Sequence, residues 1–414
     1  MNNKSFLISG HADFGRLETL RDYLLLKKVK FLVVLYFNLA FSNNSRSRIE
    51  VYENGRLKIN FTIFNYIFRN NSKYKYILIF YTYFTYFFSI IKIYFIIKKK
   101  NIDFYIGIGT LITFLTRIIF FVTSKKNSKF IFYCIDYFDR FNYLDDFLKI
   151  KFFINYLEQK IQFYLLKKSD FIWEISKAIS IARNKSINIS IKKELNRHIF
   201  NKRFIIPLGY SITLLKKISS INIENKNKLL KIVFIGVINP NQCLDELAEA
   251  IKIRSEFFIN KIHIHVIGDG PYLSGFKSNL IKKKITNFFS IHGYLDLSKT
   301  SKIISGADYG YAIFPSFKGN HSLNAEPGKI KMYYIFNKPC IISNNIYLSK
   351  LIKRYKSGIV LKKIDSNLIS RKLMKLVKYR SFYNNKFKKN ILNFKNNECV
   401  ADIHFDKFFN NIIF

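Results

Sequence analysis

Short apolar segments alternate with longer helical segments along most of this chain, and the alternation occurs as two successive series. In the first series, the strand signal Ser5–Ser9 precedes the helical stretch Arg16–Leu26, and a second strand signal, Phe31–Tyr36, follows it. The second series begins at Lys231. Alternation of strands and helices predicts parallel β-sheets covered by helices, so the sequence predicts an α/β protein.

Further strand signals occur in both series. In the first series they are Asp103–Ile108, Phe130–Ile135, Phe171–Ile175 and Phe204–Ile206. In the second they are Lys231–Ile235, His263–Ile267, Phe289–His292, Tyr309–Phe314 and Pro339–Ile342. Ligands of parallel sheets bind outside the carboxyl ends of the strands, so the loops that follow these strands form the candidate site.

The length of 414 residues suits two domains rather than one core. We expect an N-terminal Rossmann-like domain over residues 1–208 and a linker over 209–228, which includes a polar run. A C-terminal Rossmann-like domain should follow over 229–390. The tail, 391–414, is helical in pattern and is expected to pack back on the N-terminal domain.

The formal net charge is +42. Strongly basic chains usually meet phosphate in nucleic acid, anionic lipid or nucleotides. The abundance of Lys, Asn, Ile, Phe and Tyr also fits A/T-rich codons, in which case the charge is spread over solvated faces. Both interpretations stay open. No recognition motif accompanies the charge, so we expect no nucleic-acid partner.

Cysteine usage and the N-terminus bear on the compartment. The four cysteines, Cys134, Cys243, Cys340 and Cys399, are far apart in sequence, so we expect neither a disulfide framework nor a zinc knuckle, which fits a reducing compartment. The first residues lack the long apolar region of a secretory signal. A cytoplasmic location is therefore expected.

One segment, Tyr76–Ile97, is nearly long and apolar enough to enter a bilayer. Its tyrosines and Lys92 argue against a span, and its place in the alternation favours a helix buried against a sheet. An interfacial helix, with tyrosine and lysine at the depth of the lipid headgroups, is the second interpretation, and a membrane span is the third.

Four loops of the second series contain glycine and follow strand signals or open a helix. Gly236 ends the first strand, and glycine there allows a ligand to approach the backbone closely. The others are the runs 268–271 (GDGP), 292–295 (HGYL) and 324–329 (NAEPGK). The last run opens the helix Ile330–Phe336, whose free N–H groups, dipole and Lys329 would face an anion.

His263 and His265 share one face of a predicted strand, because strand side chains alternate. Two histidines in this arrangement can bind a metal ion, but no third ligand is near in sequence. We expect two packed strand histidines and no metal site.

The second half contains five motifs in the order strand-Gly, GDGP, HGYL, ADxGxAxFPS and PxK-helix-xKPxI. This order strongly resembles the C-terminal domain of retaining GT-B glycosyltransferases of the group 1 or family-4-like type, which build bacterial polysaccharides and glycolipids. The resemblance is clear over Lys231–Ser343. In the first half only Ser9-Gly10-His11, Asp136 and the alternation match. The implied fold is GT-B, with two Rossmann-like domains whose parallel sheets face each other across a cleft.

The resemblance implies transfer of a hexose from a nucleotide diphosphate sugar to a glycan or lipid-linked glycan, with retention and without a metal or another cofactor. The implied donor site consists of Gly236, Gly268, Gly270, Gly293, Tyr294, Glu326, Gly328 and Lys329. His11, Arg16 and Asp136 are the candidate catalytic residues on the acceptor side, although capping or loop roles compete for His11 and Asp136. We expect the enzyme at the inner face of the cytoplasmic membrane, in peripheral contact with anionic lipid.

Two positions depart from the family pattern. The family carries Arg and Lys in the loop after Gly236, where residues 237–242 provide no cation, and a ribose-binding Glu where this chain has Met332. A methionine sulfur accepts hydrogen bonds only weakly. We expect a cation from another position to compensate, and Glu326 to reach the ribose. The candidate cations are Lys329, Lys331, Lys338 and Arg16.

Three alternatives remain at this stage. Loss of these residues could mean weak binding and lost catalysis, leaving a membrane-surface protein on a decayed transferase fold. A sugar-nucleotide epimerase with the same two-domain fold is another, although it should carry more carboxylates and histidines at the cleft. Nucleic-acid binding is the third, and it rests on charge alone.

Overall fold

The computed structural model describes residues 1–11, 15–37, 47–62, 90–135, 150–188, 199–219, 229–316, 324 and 326–413. The chain divides into two compact units. Unit 1 consists of Met1–Ser211 together with Ala401–Phe414, and unit 2 consists of Ile212–Val400. The predicted linker, 209–228, begins with the last residues of unit 1, 209–211, and continues with a helix of unit 2, Ile212–Ser219; its residues 220–228 lie outside the described part of the chain.

Unit 1 contains an eight-stranded sheet in the order β4-β3-β2-β1-β5-β6-β7-β8. Its strands are β1 Ser5–His11, β2 Phe31–Phe37, β3 Arg48–Glu53, β4 Arg56–Thr62, β5 Phe104–Ile108, β6 Lys129–Cys134, β7 Phe171–Glu174 and β8 Arg203–Ile205. From β2 to β8 all pairs are parallel, as the alternation predicts.

The hairpin β3–β4 was missing from the sequence prediction, and it makes one edge of this sheet antiparallel. Its turn is Asn54-Gly55, and both residues have positive φ, 50° and 78°. That pair of conformations belongs to the tight turn whose twist suits a two-residue hairpin. The expectation of purely parallel sheets is therefore corrected for unit 1.

Helices cover both faces of the unit 1 sheet. They are α1 Arg16–Leu26, α2 Thr110–Thr123, α3 Ile150–Lys168, α4 Lys177–Asn188 and, from the end of the chain, α14 Ala401–Ile413. One core cluster contains α14, whose Phe408 ring lies 4.8 Å from that of Trp173. The hydroxyl of Tyr23 donates to Asp406 at 2.9 Å. The last helix therefore completes the core of the first unit.

The segment Tyr76–Ile97 is described only from residue 90 onward, and residues 90–97 are helical. Ile90, Ile93 and Ile97 are buried in the second core cluster of unit 1, which lies on the opposite face of the sheet from α14. No helix in the described residues is long and apolar enough to cross a membrane.

Unit 2 contains a six-stranded parallel sheet in the order β11-β10-β9-β12-β13-β14. The strands are β9 Leu230–Ile235, β10 Ile262–Ile267, β11 Phe289–Gly293, β12 Tyr309–Ala312, β13 Cys340–Ser343 and β14 Ile359–Leu361. The helices are α5 Ile212–Ser219, α6 Leu244–Lys252, α7 Ser255–Phe258, α8 Leu273–Lys282, α9 Leu297–Ser305, α10 Gly328–Ile335, α11 Tyr347–Tyr355, α12 Ser366–Lys378 and α13 Arg380–Phe394. A π-helical turn, Lys395–Cys399, ends the unit.

Candidate functional site

The loops that follow β9, β10 and β11 are bonded to one another through their backbones at the carboxyl edge of the unit 2 sheet. The N–H of Gly236 donates to Ile267 O at 3.0 Å, and the N–H of Gly268 donates to Gly293 O at 2.8 Å. One residue further out, the N–H of Ile238 donates to Asp269 O at 2.9 Å. The three loops therefore form one ordered backbone surface.

Glycine is required where these loops meet. Gly268 has a φ of +136°, and a Cβ there would lie 1.9 Å from Gly236 O. A Cβ on Gly270 would lie 2.2 Å from Ile238 O. Any side chain at either position would push the loops apart, so the GDGP run serves close backbone packing first and leaves the loop surface open to a ligand.

Lys329 brings a cation to this edge from the second residue of α10. Its Nζ donates to Gln242 Oε1 at 2.5 Å and lies 4.1 Å from the centroid of the Phe234 ring. A Cβ added to Gly236 would lie 3.2 Å from the same Nζ. Part of the residue is exposed at the helix start, while burial of its ammonium lowers the pKa to about 7.

Within the described part of the chain, Lys329 has no carboxylate partner. Its ammonium instead faces an amide oxygen and the Phe234 and Phe314 rings. An ammonium held in such surroundings without a counter-ion is poised to bind an anion that enters from the glycine loops.

Lys331, two residues further along α10, is different. It is completely buried, and its Nζ lies 2.8 Å from Glu326 Oε2 and donates to Glu398 O at 2.7 Å. The Glu326 side chain is 1% exposed in this ion pair. The charge of Lys331 is therefore already neutralised, and the pair fixes the start of α10 to the turn Lys395–Cys399.

The loop in which the family carries its two cations ends in a short 3-10 turn, Pro240–Gln242, followed by Cys243. Cys243 has a left-handed backbone with φ 51° and is buried. Gln242 is the residue that accepts from Lys329. The loop that lacks a cation of its own is therefore contacted by a cation from α10. The sequence alone offers Lys329 as one of several candidates and does not select it.

Three histidines lie together on β10 and β11. The rings of His263 and His265 are 5.0 Å apart on one face of β10, and His265 Nδ1 lies 3.1 Å from His292 Nε2. His263 Nε2 lies 2.8 Å from the Ser290 hydroxyl. Burial lowers the pKa of His265 to about 4, with further lowering by the neighbouring histidines. Among the described residues no group of three ligands is arranged to hold a metal ion.

The predicted acceptor-side residues belong to unit 1. His11 is the last residue of β1, at the carboxyl edge of the sheet, and Arg16 is the first residue of α1. Asp136, which follows β6, lies outside the described residues, as does Asp139. On unit 2, Tyr294 is 71% exposed beside Gly293, which has a φ of +66°.

Sequence reasoning missed a buried charge cluster in unit 1. Glu174 ends β7 and pairs with Arg183 of α4, and its Oε2 lies 3.0 Å from Arg203 Nε. Glu174 and Arg183 are almost completely inaccessible to solvent. The only signal in the sequence was a glutamate at the end of an apolar strand, and its partners are distant along the chain.

No protein-family model and no curated protein sequence matches the chain. Solved structures do. Anabaena Alr3699/HepE, in complex with UDP and glucose, matches over 99% of both chains with a TM-score of 0.62 and 9% identity. Sucrose-phosphate synthase from Thermosynechococcus elongatus also matches over 99% of both chains, with a TM-score of 0.64 and 10% identity. WaaG, a glycosyltransferase involved in lipopolysaccharide biosynthesis, matches over 98% of both chains at 0.60 and 10% identity.

The chain has the GT-B fold.

In GT-B terms, unit 1 and unit 2 are the two Rossmann-like domains that the motif order predicted. The prediction of this fold from the sequence is confirmed. The likeness extends over the first half as well, where the sequence itself carried few matching residues. At such low sequence identity, the shared property is the GT-B fold.

Proposed function

We propose that this protein is a glycosyltransferase that moves a sugar from a nucleotide diphosphate sugar to a glycan or lipid-linked glycan, with retention of configuration. The observation that carries the proposal is the position of Lys329, whose ammonium faces the glycine loops at the carboxyl edge of the unit 2 sheet. The fold supports it, since the similar HepE structure contains UDP and glucose.

In this proposal the donor diphosphate lies between the loop of Gly236 and the start of α10. Breaking the bond between the sugar and the diphosphate leaves negative charge on the leaving phosphate, and a positioned ammonium stabilises that charge as it grows. Lys329 would supply the ammonium, and the positive end of the α10 dipole, at Gly328, would add to it. No metal is needed for this step.

The nucleoside would lie along the loops after β10 and β11. Gly268 and Gly270 keep the loop after β10 close to the loop after β9, and the exposed Tyr294 borders the place for the base. Met332 lacks an oxygen that could accept from a ribose hydroxyl. Glu326 is held by Lys331, so we assign it the role of fixing the α10 start rather than a ribose contact.

On the acceptor side we propose that His11 orients the hydroxyl that attacks the sugar. Imidazole is suited to that role because it can accept the hydroxyl proton near neutral pH. Arg16, at the start of α1, and Asp136, which follows β6 in the sequence, would contact the acceptor. We further propose that the acceptor is membrane-linked, and that the protein contacts anionic lipid at the cytoplasmic face.

Calorimetric titration of the protein with UDP and with GDP tests the donor site directly. Binding of one of them, weakened about 10- to 100-fold in Lys329→Met and unchanged in Lys277→Met, is the expected result, because Lys277 is an exposed lysine of α8. Absence of binding of both nucleotides at millimolar concentration would overturn the proposal. Incubation with sugar nucleotides then separates the reactions, since a transferase elongates an acceptor and an epimerase releases a converted sugar nucleotide.

A further inference from the structure

Three consecutive helical segments of unit 1 end at the same edge of its sheet. The helix 90–97 precedes β5, α2 precedes β6, and α3 precedes β7. These three strands are adjacent and parallel, and Ile93, Ile119 and Leu165 of the helices are buried in the same core cluster. Each helix runs opposite to the strand that follows it, so all three helix ends lie along the amino edge of the sheet.

Each of these helix ends exposes an aromatic ring next to two lysines. Phe95 is 61% exposed and is followed by Lys98 and Lys99. Phe121 is 84% exposed, and Val122 beside it is also exposed. Such a high exposure of a phenylalanine in a packed helix is unusual, because it forgoes the free energy of burial.

The ends of α2 and α3 also combine an exposed aromatic ring with two exposed lysines. Lys125 and Lys126 follow Phe121 and are exposed. At the end of α3, Tyr164 is 41% exposed, and Lys167 and Lys168 follow it. Residues 95–99, 121–126 and 164–168 together are called the basic rim. Packed helices lie about 10 Å apart, so the basic rim extends over roughly 20 Å in a row.

Among the described residues, two carboxylates at this edge are bonded to the protein. Asp103 accepts from the Ser5 N–H at 2.8 Å and pairs with Lys4 at 3.2 Å. Asp170 accepts from the Phe130 N–H at 2.7 Å. The lysines of the basic rim therefore present their charge outward, and Lys98 does so over the ring of Phe95, at 4.9 Å from its centroid.

We propose that the basic rim is the surface by which this protein docks on an anionic lipid bilayer. Lysines attract the lipid phosphates, and the aromatic rings and Val122 enter the layer between headgroups and acyl chains. This inference rests on the membrane contact within the proposed function. It also fixes an orientation for unit 1: His11 lies at the opposite, carboxyl edge of the same sheet, so a membrane-linked acceptor would have to extend its glycan along the length of the strands to reach it.

A single-cysteine label tests the docking in the full-length protein. All four native cysteines are buried, so Phe121→Cys can be labelled selectively with an environment-sensitive dye. We expect a blue shift on vesicles of phosphatidylcholine with phosphatidylglycerol and none on phosphatidylcholine alone. Ile281→Cys is the matched control, since Ile281 is 67% exposed beside Lys282 at the end of α8 in unit 2. A blue shift at both positions, or at neither, overturns the proposal.

Charge removal gives a second, quantitative measurement. The variant Lys125→Gln/Lys126→Gln should bind the same vesicles about 30-fold more weakly, at about 1 kcal/mol for each lysine near the surface. Ile281→Ser/Lys282→Gln should bind as the parent protein does. Unchanged binding of the first variant contradicts the proposal. Binding of the parent protein to single-stranded RNA without any binding to vesicles would also contradict it.

UDP titration of the rim variants separates this inference from the donor site. Phe121→Cys and Lys125→Gln/Lys126→Gln should bind UDP as the parent protein does, because the substituted residues are exposed and belong to unit 1, whereas the glycine loops belong to unit 2. Vesicle binding without UDP binding would leave the basic rim standing and refute the transferase. UDP binding without vesicle binding would refute the docking surface and leave the proposed donor site standing.

Discussion

Lys329 and Lys331 lie two residues apart on the same short helix, and their surroundings differ in every respect that governs a buried charge. Lys331 is completely inaccessible and has a carboxylate, Glu326, at 2.8 Å and a backbone carbonyl at 2.7 Å. Lys329 faces an amide oxygen and two aromatic rings. Burial of a charge costs free energy unless a partner compensates it, so the first lysine is stable as it stands and the second is not.

The contrast separates a lysine that stabilises the fold, Lys331, from a lysine that is available to bind an anionic ligand, Lys329. Lys331 joins the helix start to the end of unit 2, where the π-helical turn lies. Burial removes the Lys329 ammonium from water and lowers its pKa, and no carboxylate within the described chain pairs with it. An incoming diphosphate would provide that anion. Substitutions at the two lysines should therefore separate stability from binding.

The largest expected effect is the loss of stability in Lys331→Met. Removing the ammonium leaves the Glu326 carboxylate buried without its partner, which typically lowers the free energy of unfolding by about 3–5 kcal/mol. Urea denaturation measures it. The double variant Lys331→Met/Glu326→Gln should recover most of the loss, and an unchanged urea midpoint in the single variant would refute the structural role of the pair.

Lys329→Met should spare stability and weaken the donor site. A hydrogen bond to a charged group contributes about 1.5–3 kcal/mol, so we expect UDP or GDP to bind about 10- to 100-fold more weakly. Calorimetry measures the affinity and urea denaturation the stability. Gln242→Lys in the Lys329→Met background returns a cation to the same place and should restore part of the affinity. Equal affinity in the parent and in Lys329→Met would contradict the assignment.

The pKa of Lys329 near 7 predicts a pH dependence of donor binding. Above pH 7 the free protein holds a neutral amine, and binding of a diphosphate must take up a proton. The affinity should therefore fall as the pH rises above 7, by up to about tenfold for each pH unit. Calorimetry at pH 8 in buffers of different ionisation enthalpy measures the proton uptake, which should vanish in Lys329→Met.

The lowered pKa of Lys329 also makes the free energy of unfolding depend on pH, in the direction opposite to that of the donor affinity. The folded protein binds fewer protons at Lys329 than the unfolded chain does between pH 7 and the ordinary value of 10.5. The free energy of unfolding therefore rises with pH over this window in the parent protein, relative to Lys329→Met. A pH-independent difference between the two proteins would show that the ammonium of Lys329 is not desolvated.

The smallest expected effect belongs to Gln242→Leu. Its amide oxygen holds the ammonium of Lys329 in place, and an uncharged hydrogen-bond partner contributes about 1 kcal/mol. We expect UDP affinity to fall about fivefold. Asn241→Leu, at the exposed neighbouring position, is the control and should bind UDP normally. A larger effect from Asn241→Leu would show that the loop itself, and not the contact with Lys329, matters.

The sequence predicted β9 to β13 and the glycine loops of unit 2, because each glycine loop is a local feature, readable from the residues around Gly236 and Gly268; it did not predict the three-residue edge strand β14. The hairpin β3–β4 carried an equally local signal, the pair Asn54-Gly55 between two strand-like runs, and it was overlooked. The error in unit 1 was therefore one of interpretation rather than of missing information.

The polar contacts of the candidate site could not be predicted in this way. Lys329 reaches a residue 87 positions earlier, and Lys331 reaches one 67 positions later. The carboxylate that pairs with Lys331, Glu326, stands in the same sequence motif as both lysines, and the motif alone does not show which lysine it pairs with. The resemblance of motifs identifies the start of α10, whereas only the folded structure shows which partners Lys329 and Lys331 have.

The return of α14 to unit 1 has a consequence for the order in which the protein can fold during synthesis. Tyr23 and Trp173 pack against Phe405 and Phe408, so the first core lacks one wall until α14 has left the ribosome. Unit 2 is continuous, from Ile212 to Val400, and can close earlier. Domains usually fold in the order of their synthesis. Here the domain that is made first is expected to be finished last, with an exposed aromatic surface that nascent-chain chaperones would have to protect.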